Sequence, residues 1–279
     1  MTPGETAARA CERYRLRRDL RRVRGDMGQI KGVGVGSSVE FHDYRRYLPG
    51  DDPRHVDWAV YGRTGELNVR LFHEEVHPSV DVLLDASRSM AIADGRKREL
   101  ALELADFVLH SARLQGSRAR LHLCGTDVLP VERIADVALD APASLLLSEP
   151  ARCAQRLRRG SMVVVISDFM ATEPPSRTLL ALGQRAAQLV ALRTLGPWEA
   201  APEPSALATL EDAEAGAQLA TALGPRAIED YLGHLHAIED SARQSCRALG
   251  GVFVPVTCDR PLTDVLRTDL LPAAVVEPV

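Results

Sequence analysis

Apolar and polar positions along this chain fall into two rhythms, and the change between them comes near residue 79. Beyond it, short apolar runs alternate with longer amphipathic stretches. Residues 80–84 read as a strand, and 96–115 carry helical spacing at Leu100, Leu104, Phe107 and Val108. A strand is expected at 118–124 and a short one near 128–131, after a turn at 125–127. Residues 144–159 are mostly helical, interrupted or restarted at Pro150. The unbroken run Met-Val-Val-Val-Ile at 162–166 is what a central parallel strand covered on both faces looks like. A helix at 175–187, a strand at 189–192, a hairpin across 206–221, a long helix at 226–249, a strand at 252–256 and a closing helix at 262–271 complete the series. Strands alternating with helices of this length predict an α/β fold with a mostly parallel sheet flanked by helices.

Before residue 79 the pattern is different. Residues 7–24 read as a polar helix rich in arginine (Arg9, Arg13, Arg15, Arg17, Arg18, Arg21, Arg22 and Arg24), and 31–38 as a Gly-rich connector. Strand-like pieces follow, punctuated by Pro49, Gly50, Asp51, Asp52 and Pro53, with Gly62 to Glu66 read as a hairpin connection. The expected division is a basic N-terminal helix with a small β-rich subdomain over 1–78, and an α/β domain over 79–279.

Bulk composition narrows the function classes. The chain has 279 residues, 46% hydrophobic and 26% charged, ordinary for a globular protein. A net charge of −4 argues against nucleic acid as main partner, although the basic segment could meet an anionic membrane or pair with nearby acids. Five scattered cysteines without a C-x-x-C pair suit a reducing compartment and offer no zinc or disulfide framework. No stretch has the apolar length of a membrane span or the core of a signal peptide, so a cytoplasmic protein is expected.

The chemistry concentrates where two strands end. "VDVLLDASRSM" stops its apolar run on Asp85 and follows it with Ser87 and Ser89. "VVVISDF" delivers Asp168 just past the central strand. In open α/β sheets ligands sit beyond the carboxyl ends of the strands, where the strand order reverses. Two acids and two hydroxyls at that edge suit a hard ion such as Mg²⁺, which takes oxygen ligands and keeps several waters. The bland alternative is that Asp-x-Ser-x-Ser caps a helix.

These same residues resemble the metal-ion-dependent adhesion site of von Willebrand factor A domains. The upstream "VEFHDYRRYLPGDDPRHVDWAVYGRTGELNVRLFHEE" resembles the signature of a bacterial family of unknown function numbered fifty-eight, at Phe41, Arg45, Tyr47, Gly50, Asp51, Asp52, Arg54, Asp57 and Trp58. The resemblance implies a von Willebrand factor A-like, Rossmann-type fold. It also implies a non-enzymatic, Mg²⁺- or Mn²⁺-dependent binding adaptor that partners a MoxR-type AAA+ ATPase in chaperone-like maturation of client proteins. A-type domains usually add a Thr ligand from a loop before the second strand. That loop has none here, so Ser144 is the substitute, with Ser148 next, and a weaker metal site is expected. The expected metal set is therefore Asp85, Ser87, Ser89, Asp168 and Ser144. Within the signature, Arg45 and Arg54 either form a docking face or pair with Asp51, Asp52 or Asp57 to pin a turn, with Trp58 packed beneath.

Two other classes stay open. An Asp85-nucleophile phosphotransferase would use Mg²⁺ on Asp168, but Ala86 and Ser87 stand where another carboxylate is expected. Lys97, one of two lysines, falls on the following helix. A structural module with a vestigial site is the other. No phosphate-binding G-x-x-x-x-G-K-[ST], no G-x-S-x-G elbow and no zinc-spaced histidines occur.

Overall fold

Strand pairing organises the larger part of the chain. The structure is a computed structural model describing residues 3–18, 41–49, 51–72, 79–92, 95–171, 173–213 and 216–279. In chain order the strands are β1 (Tyr14–Leu16), β2 (Phe41–Arg46), β3 (Asn68–Phe72), β4 (Ser79–Asp85), β5 (Arg118–Cys124), β6 (Val128–Val131), β7 (Ser161–Ser167), β8 (Ala186–Leu195), β9 (Ser205–Glu211), β10 (Gln218–Leu223), β11 (Val252–Thr257) and β12 (Val276–Pro278). Contacts separate two units, Met1–Val23 with Pro78–Val279, and Arg24–His77.

The larger unit holds a six-stranded sheet in the order β11-β8-β7-β4-β5-β6, parallel except for the β5–β6 pair. Every residue of β7 is buried, as its continuous apolar run predicted. Alternation sorts its side chains to two cores. Val164 and Ile166 join the helix Arg96–Leu114, and Val163 and Val165 join the side covered by the helices Pro175–Gly183 and Pro225–Ala248. Helices on both faces are what satisfies a parallel sheet. The hairpin β9–β10 forms its own two-stranded sheet.

The N-terminal expectation is corrected. The helix spans only Pro3–Cys11, and residues 1–23 belong with the large unit rather than with the small one. Arg13, Arg15 and Arg17 therefore do not share a basic helix. β1 pairs antiparallel with β12, Tyr14 opposite Pro278 and Leu16 opposite Val276, so the two ends of the chain close on each other. The Leu16 N–H donates to Ser111 Oγ at 2.7 Å, and Arg15 pairs with Glu277 at 2.8 Å. Pairing across the whole sequence is invisible to local periodicity. The Gly-rich stretch 31–38 lies outside the described residues.

In the small unit, β2 and β3 pair antiparallel, with Arg46 opposite Asn68. The segment read as a hairpin connection is instead a helix, Trp58–Thr64, closed by Gly65 at φ 73°. Its start is fixed by Asp57, which accepts from the N–H groups of Ala59 and Val60 and from the Tyr44 hydroxyl. Arg45 pairs with Asp51 at 2.8 Å, and Arg54 forks onto Asp52. Those acids also accept from Leu48 N–H and Arg54 N–H. The signature's charged residues thus hold turns. Trp58 is not packed beneath them: it is 61% exposed and meets Tyr61 edge-on.

A second buried acid, Asp81, lies within β4 itself. It accepts from the Arg158 N–H at 3.0 Å and Arg120 Nε at 3.1 Å, with His122 Nε2 at 3.4 Å. Burial works to raise its pKa, but His122, the Arg158 N–H and Arg120 outweigh it and hold the carboxyl below its ordinary value. A depressed carboxyl stabilises the fold above its unfolded pKa, and that contribution is lost as pH falls through the folded one. Asp81→Asn should therefore flatten the acid side of the stability–pH profile and cost about 1–3 kcal/mol at neutral pH. Urea melts across pH check this; an unaltered acid limb would remove Asp81 from the account.

Candidate functional site

β4 connects forward to β5 on one side, while β7 lies against it on the other. The order of the sheet therefore reverses between β4 and β7, and a crevice is expected beyond their carboxyl ends. Asp85 is the last residue of β4 and Asp168 follows the last residue of β7. Leu84 pairs with Ile166, which sets Asp85 beside Ser167 in the same row of the sheet.

The Asp85 carboxylate is fully buried and held at three points. Its Oδ1 accepts from the Ser87 N–H at 3.0 Å, and its Oδ2 accepts from Ser144 Oγ at 2.8 Å and Ser167 Oγ at 2.7 Å. Burial, and then the charge of Asp168, push its pKa up to about 6, against the pull of those hydrogen bonds. The turn Arg88–Ala91 begins at Ser87, yet the Ser87 hydroxyl makes no capping bond and stands 3.0 Å from Ser89 Oγ. The capping alternative therefore uses one carboxylate oxygen and leaves both hydroxyls out. Ser148, the second substitute for the missing Thr, donates back to the Ser144 carbonyl instead.

Asp168 has a different environment. Its Oδ1 accepts from the Met170 N–H at 3.0 Å, and its Oδ2 from Lys97 Nζ at 2.9 Å. The backbone turns sharply here: Phe169 sits at φ 56°, an uncommon conformation for a large side chain. Its ring is buried beside Phe253, and its N–H donates to Ser167 Oγ at 3.0 Å. Core anchoring of the ring holds the strained turn that sets Asp168 against Lys97.

Lys97 has no exposed surface, and its ammonium also bonds Glu199 Oε1 at 3.0 Å. Burial opposes its charge, but Asp168 and Glu199 outweigh burial and raise its pKa. Glu199 lies in the short helix Pro197–Ala200 after β8; its other oxygen accepts from the Gly196 N–H. Tyr231 on the long helix Pro225–Ala248 donates to the Glu199 carbonyl at 2.8 Å. Two carboxylates (Asp168 and Glu199) thus share one ammonium, and Asp85 adjoins them through the charge of Asp168.

Asp85, Ser87, Ser89 and Ser144 meet in one cluster. Asp168 adjoins it through charge, with its oxygens directed to Lys97 and Met170. Three contributors were missed. Ser167 shares the alternation of Val163 and Val165, so its face was readable. Lys97 lies one turn ahead of Ala101 on the stripe through Leu104 and Val108, an apolar face where lysine is out of place. Glu199 carries no such signal. Among the described residues, no group of three or more His, Cys, Asp or Glu is arranged to hold a metal, so any ion here would rely on serine hydroxyls and water.

Replacing Lys97 with Met leaves Asp168 and Glu199 buried without their cation. The loss should be about 3–5 kcal/mol, the usual cost of breaking a buried pair from one side. A lower urea midpoint at unchanged slope would report it. A midpoint equal to that of the parent would mean the ammonium does not hold these acids.

Comparison with known proteins gives matches of three kinds. The chain is 26% identical over 261 residues to uncharacterized proteins of Mycobacterium tuberculosis (Rv1480) and Mycobacterium bovis (Mb1516), across 86% of this chain and 81% of theirs. Among solved structures it is similar to the conserved hypothetical protein BatB from Bacteroides thetaiotaomicron, at 12% identity and TM-score 0.42, covering 71% of this chain and 98% of that one. An aerotolerance-related membrane protein from Bacteroides fragilis matches at 14% identity and TM-score 0.39, with the same coverages. No described helix of this chain is long and apolar enough to cross a membrane. Residues 43–231 match the family described as "Protein of unknown function DUF58", and the chain belongs to that family.

Proposed function

We propose that this chain is a von Willebrand factor A-like adaptor that binds a partner protein through a divalent metal held at the ends of β4 and β7. The observation that carries the reading is a charge deficit: Asp168 and Glu199 share the single ammonium of Lys97, and the fully buried Asp85 beside them feels the charge of Asp168 with no cation bonded to it among the described residues. A buried excess of negative charge is costly unless a cation completes it. A divalent ion would balance the three acids and the ammonium.

The donor set fits such an ion. Mg²⁺ takes oxygens at about 2.1 Å in an octahedron, whose neighbouring ligands lie about 3 Å apart. Ser87 Oγ and Ser89 Oγ are 3.0 Å apart. Each carboxylate oxygen has two lone pairs. Asp85 Oδ2 already accepts twice and Oδ1 once, so Oδ1 is the oxygen left to bind metal. On this reading Ser144 and Ser167 orient the Asp85 ligand, the work that hydrogen-bonded neighbours do around metal sites. Asp168 has one lone pair left on each oxygen, suited to metal-bound water. Mg²⁺ or Mn²⁺, when bound, would offer an open position to a carboxylate of the partner.

The family resemblance suggests that the partner is a MoxR-type AAA+ ATPase, with client proteins beyond it. Phosphotransfer by Asp85 fits less well. Lys97 serves Asp168 and Glu199 rather than a phosphate beside Asp85, and Ala86 and Ser87 stand where a second carboxylate is expected.

Calorimetric titration of the chelator-stripped protein with Mg²⁺ and Mn²⁺ tests the proposal. Wild type should bind, Asp85→Asn should lose binding, and Ser144→Ala should weaken it by about 10–100-fold. Absence of binding at millimolar metal, or binding that survives Asp85→Asn, would refute the metal-site reading.

A further inference from the structure

The amino edge of the six-stranded sheet carries a charge opposite to that of its carboxyl edge. Residues 112–120, 156–161 and 183–188, which lead into β5, β7 and β8, hold seven arginines and neither Asp nor Glu. Arg17 and Arg18 join them from the N-terminal segment. Gln188 donates to the Arg17 carbonyl at 3.5 Å, and Arg18 bonds Gln115 and Ser117, just ahead of β5.

These turns are tied to one another. Asp81 accepts from both the Arg158 N–H and Arg120 Nε, which links the approach to β7 with β5. The Gly160 N–H donates to the Arg185 carbonyl at 2.8 Å and Arg185 Nη2 to the Leu157 carbonyl at 3.2 Å, which links β7 with β8. A continuous basic edge results, three strand spacings of about 4.8 Å across.

The arginines divide by what they have left to offer. Arg18, Arg120 and Arg185 are partly buried and hold the turns. Arg17, Arg118, Arg156, Arg158 and Arg159 are exposed and form no ion pair among the described residues. Asp81 is buried and already taken. Glu74 and Glu75, ahead of β4 in the sequence, and Glu132, after β6, are too few to neutralise the arginines. An arginine in the last turn of a helix can serve the helix dipole, but of the five only Arg156 stands there.

Leu114 ends the helix Arg96–Leu114 just before this edge and is 66% exposed. One exposed leucine is ordinary; one set among unpaired guanidinium groups combines the two attractions that hold peripheral proteins at anionic bilayers. Nucleic acid would ask for aromatic stacking or for an element that enters a groove. These segments contain no aromatic residue and present short turns.

We propose that the amino edge of the sheet binds the surface of an anionic lipid bilayer. The five exposed arginines meet lipid phosphates, and Leu114 dips between headgroups. Asp85, Asp168 and Glu199 lie at the opposite edge, so attraction at one end and repulsion at the other favour the same orientation. The candidate site then faces away from the bilayer, toward partners in solution. No metal ion takes part, so this inference stands apart from the adaptor reading.

Sedimentation of the full chain with lipid vesicles tests it. The chain should bind phosphatidylcholine vesicles containing one-third phosphatidylglycerol but not phosphatidylcholine alone, and rising salt should weaken the binding. At about fivefold per arginine, Arg118→Ala, Arg158→Ala and Arg159→Ala combined should cost about 100-fold. Leu114→Ser should cost about tenfold. These side chains are exposed and the Arg158 N–H is retained, so urea midpoints should match that of the parent. Chelator should leave vesicle binding unchanged. Equal binding to both vesicle types, no binding at low salt, loss on chelation, or a triple variant that binds like the parent would overturn the proposal. A DNA duplex that binds more tightly than the vesicles and is lost in the triple variant would assign the edge to nucleic acid instead. Polyglutamate behaving that way would assign it to an acidic protein, and either result overturns the lipid assignment.

Discussion

The ammonium of Lys97 is the interaction on which the carboxyl edge of the sheet depends. It lies at the start of the helix that follows β4, and it bonds an acid that follows β7 and another that follows β8. Three segments far apart in sequence are thereby fixed at one point, around a lysine with no surface exposed to water. A lysine in such a place is tolerated only because two carboxylates overcome its desolvation. Around it the remaining polar groups are nearly all engaged. Ser144 and Ser167 hold Asp85, Phe169 N–H holds Ser167, and Met170 N–H holds Asp168. Rigidity of that kind belongs to a site whose geometry must be ready before its ligand arrives.

Sequence patterns made the central sheet legible because its strands are long apolar runs buried on both faces, bounded by Gly, Pro and charged turns. The run at 162–166 could hardly be anything else, and the alternation after residue 79 implied the parallel order. The failures have different causes. β1 was read as helix because its partner, β12, is the other end of the chain, and no local window contains that pairing. The helix Trp58–Thr64 was read as a turn because Gly62 and Gly65 suggested a hairpin, whereas Asp57 and Gly65 act as its two caps.

Within the candidate site the legible part was the part written on strands. Asp85, Ser87, Ser89 and Asp168 follow apolar runs, and period-two geometry says where they point. Ser144 came from the likeness to A-type domains and the length of a loop, and its hydroxyl does reach Asp85. Lys97 and Glu199 were missed for different reasons. The helix beginning "RKREL" offers a Lys next to two arginines, an apparently solvated cluster, and only the stripe through Leu104 and Val108 betrays that Lys97 faces inward. Glu199 depends on the path of the chain after β8, which is a tertiary fact.

Lys97 also bears on how tightly an ion could be held. By pairing with Asp168 it stabilises the site in the absence of any cation, and by the same bond it occupies an oxygen that could otherwise face the metal. Removing it would leave more carboxylate for an ion but also two buried acids with nothing between them. On the proposed reading the arrangement would trade affinity for a fold that stands without an ion, since burial and then the charge of Asp168 already lift the Asp85 pKa. On that same reading, ion binding would be reversible, and a carboxylate supplied from outside would add attraction that Asp168, committed to Lys97, does not provide.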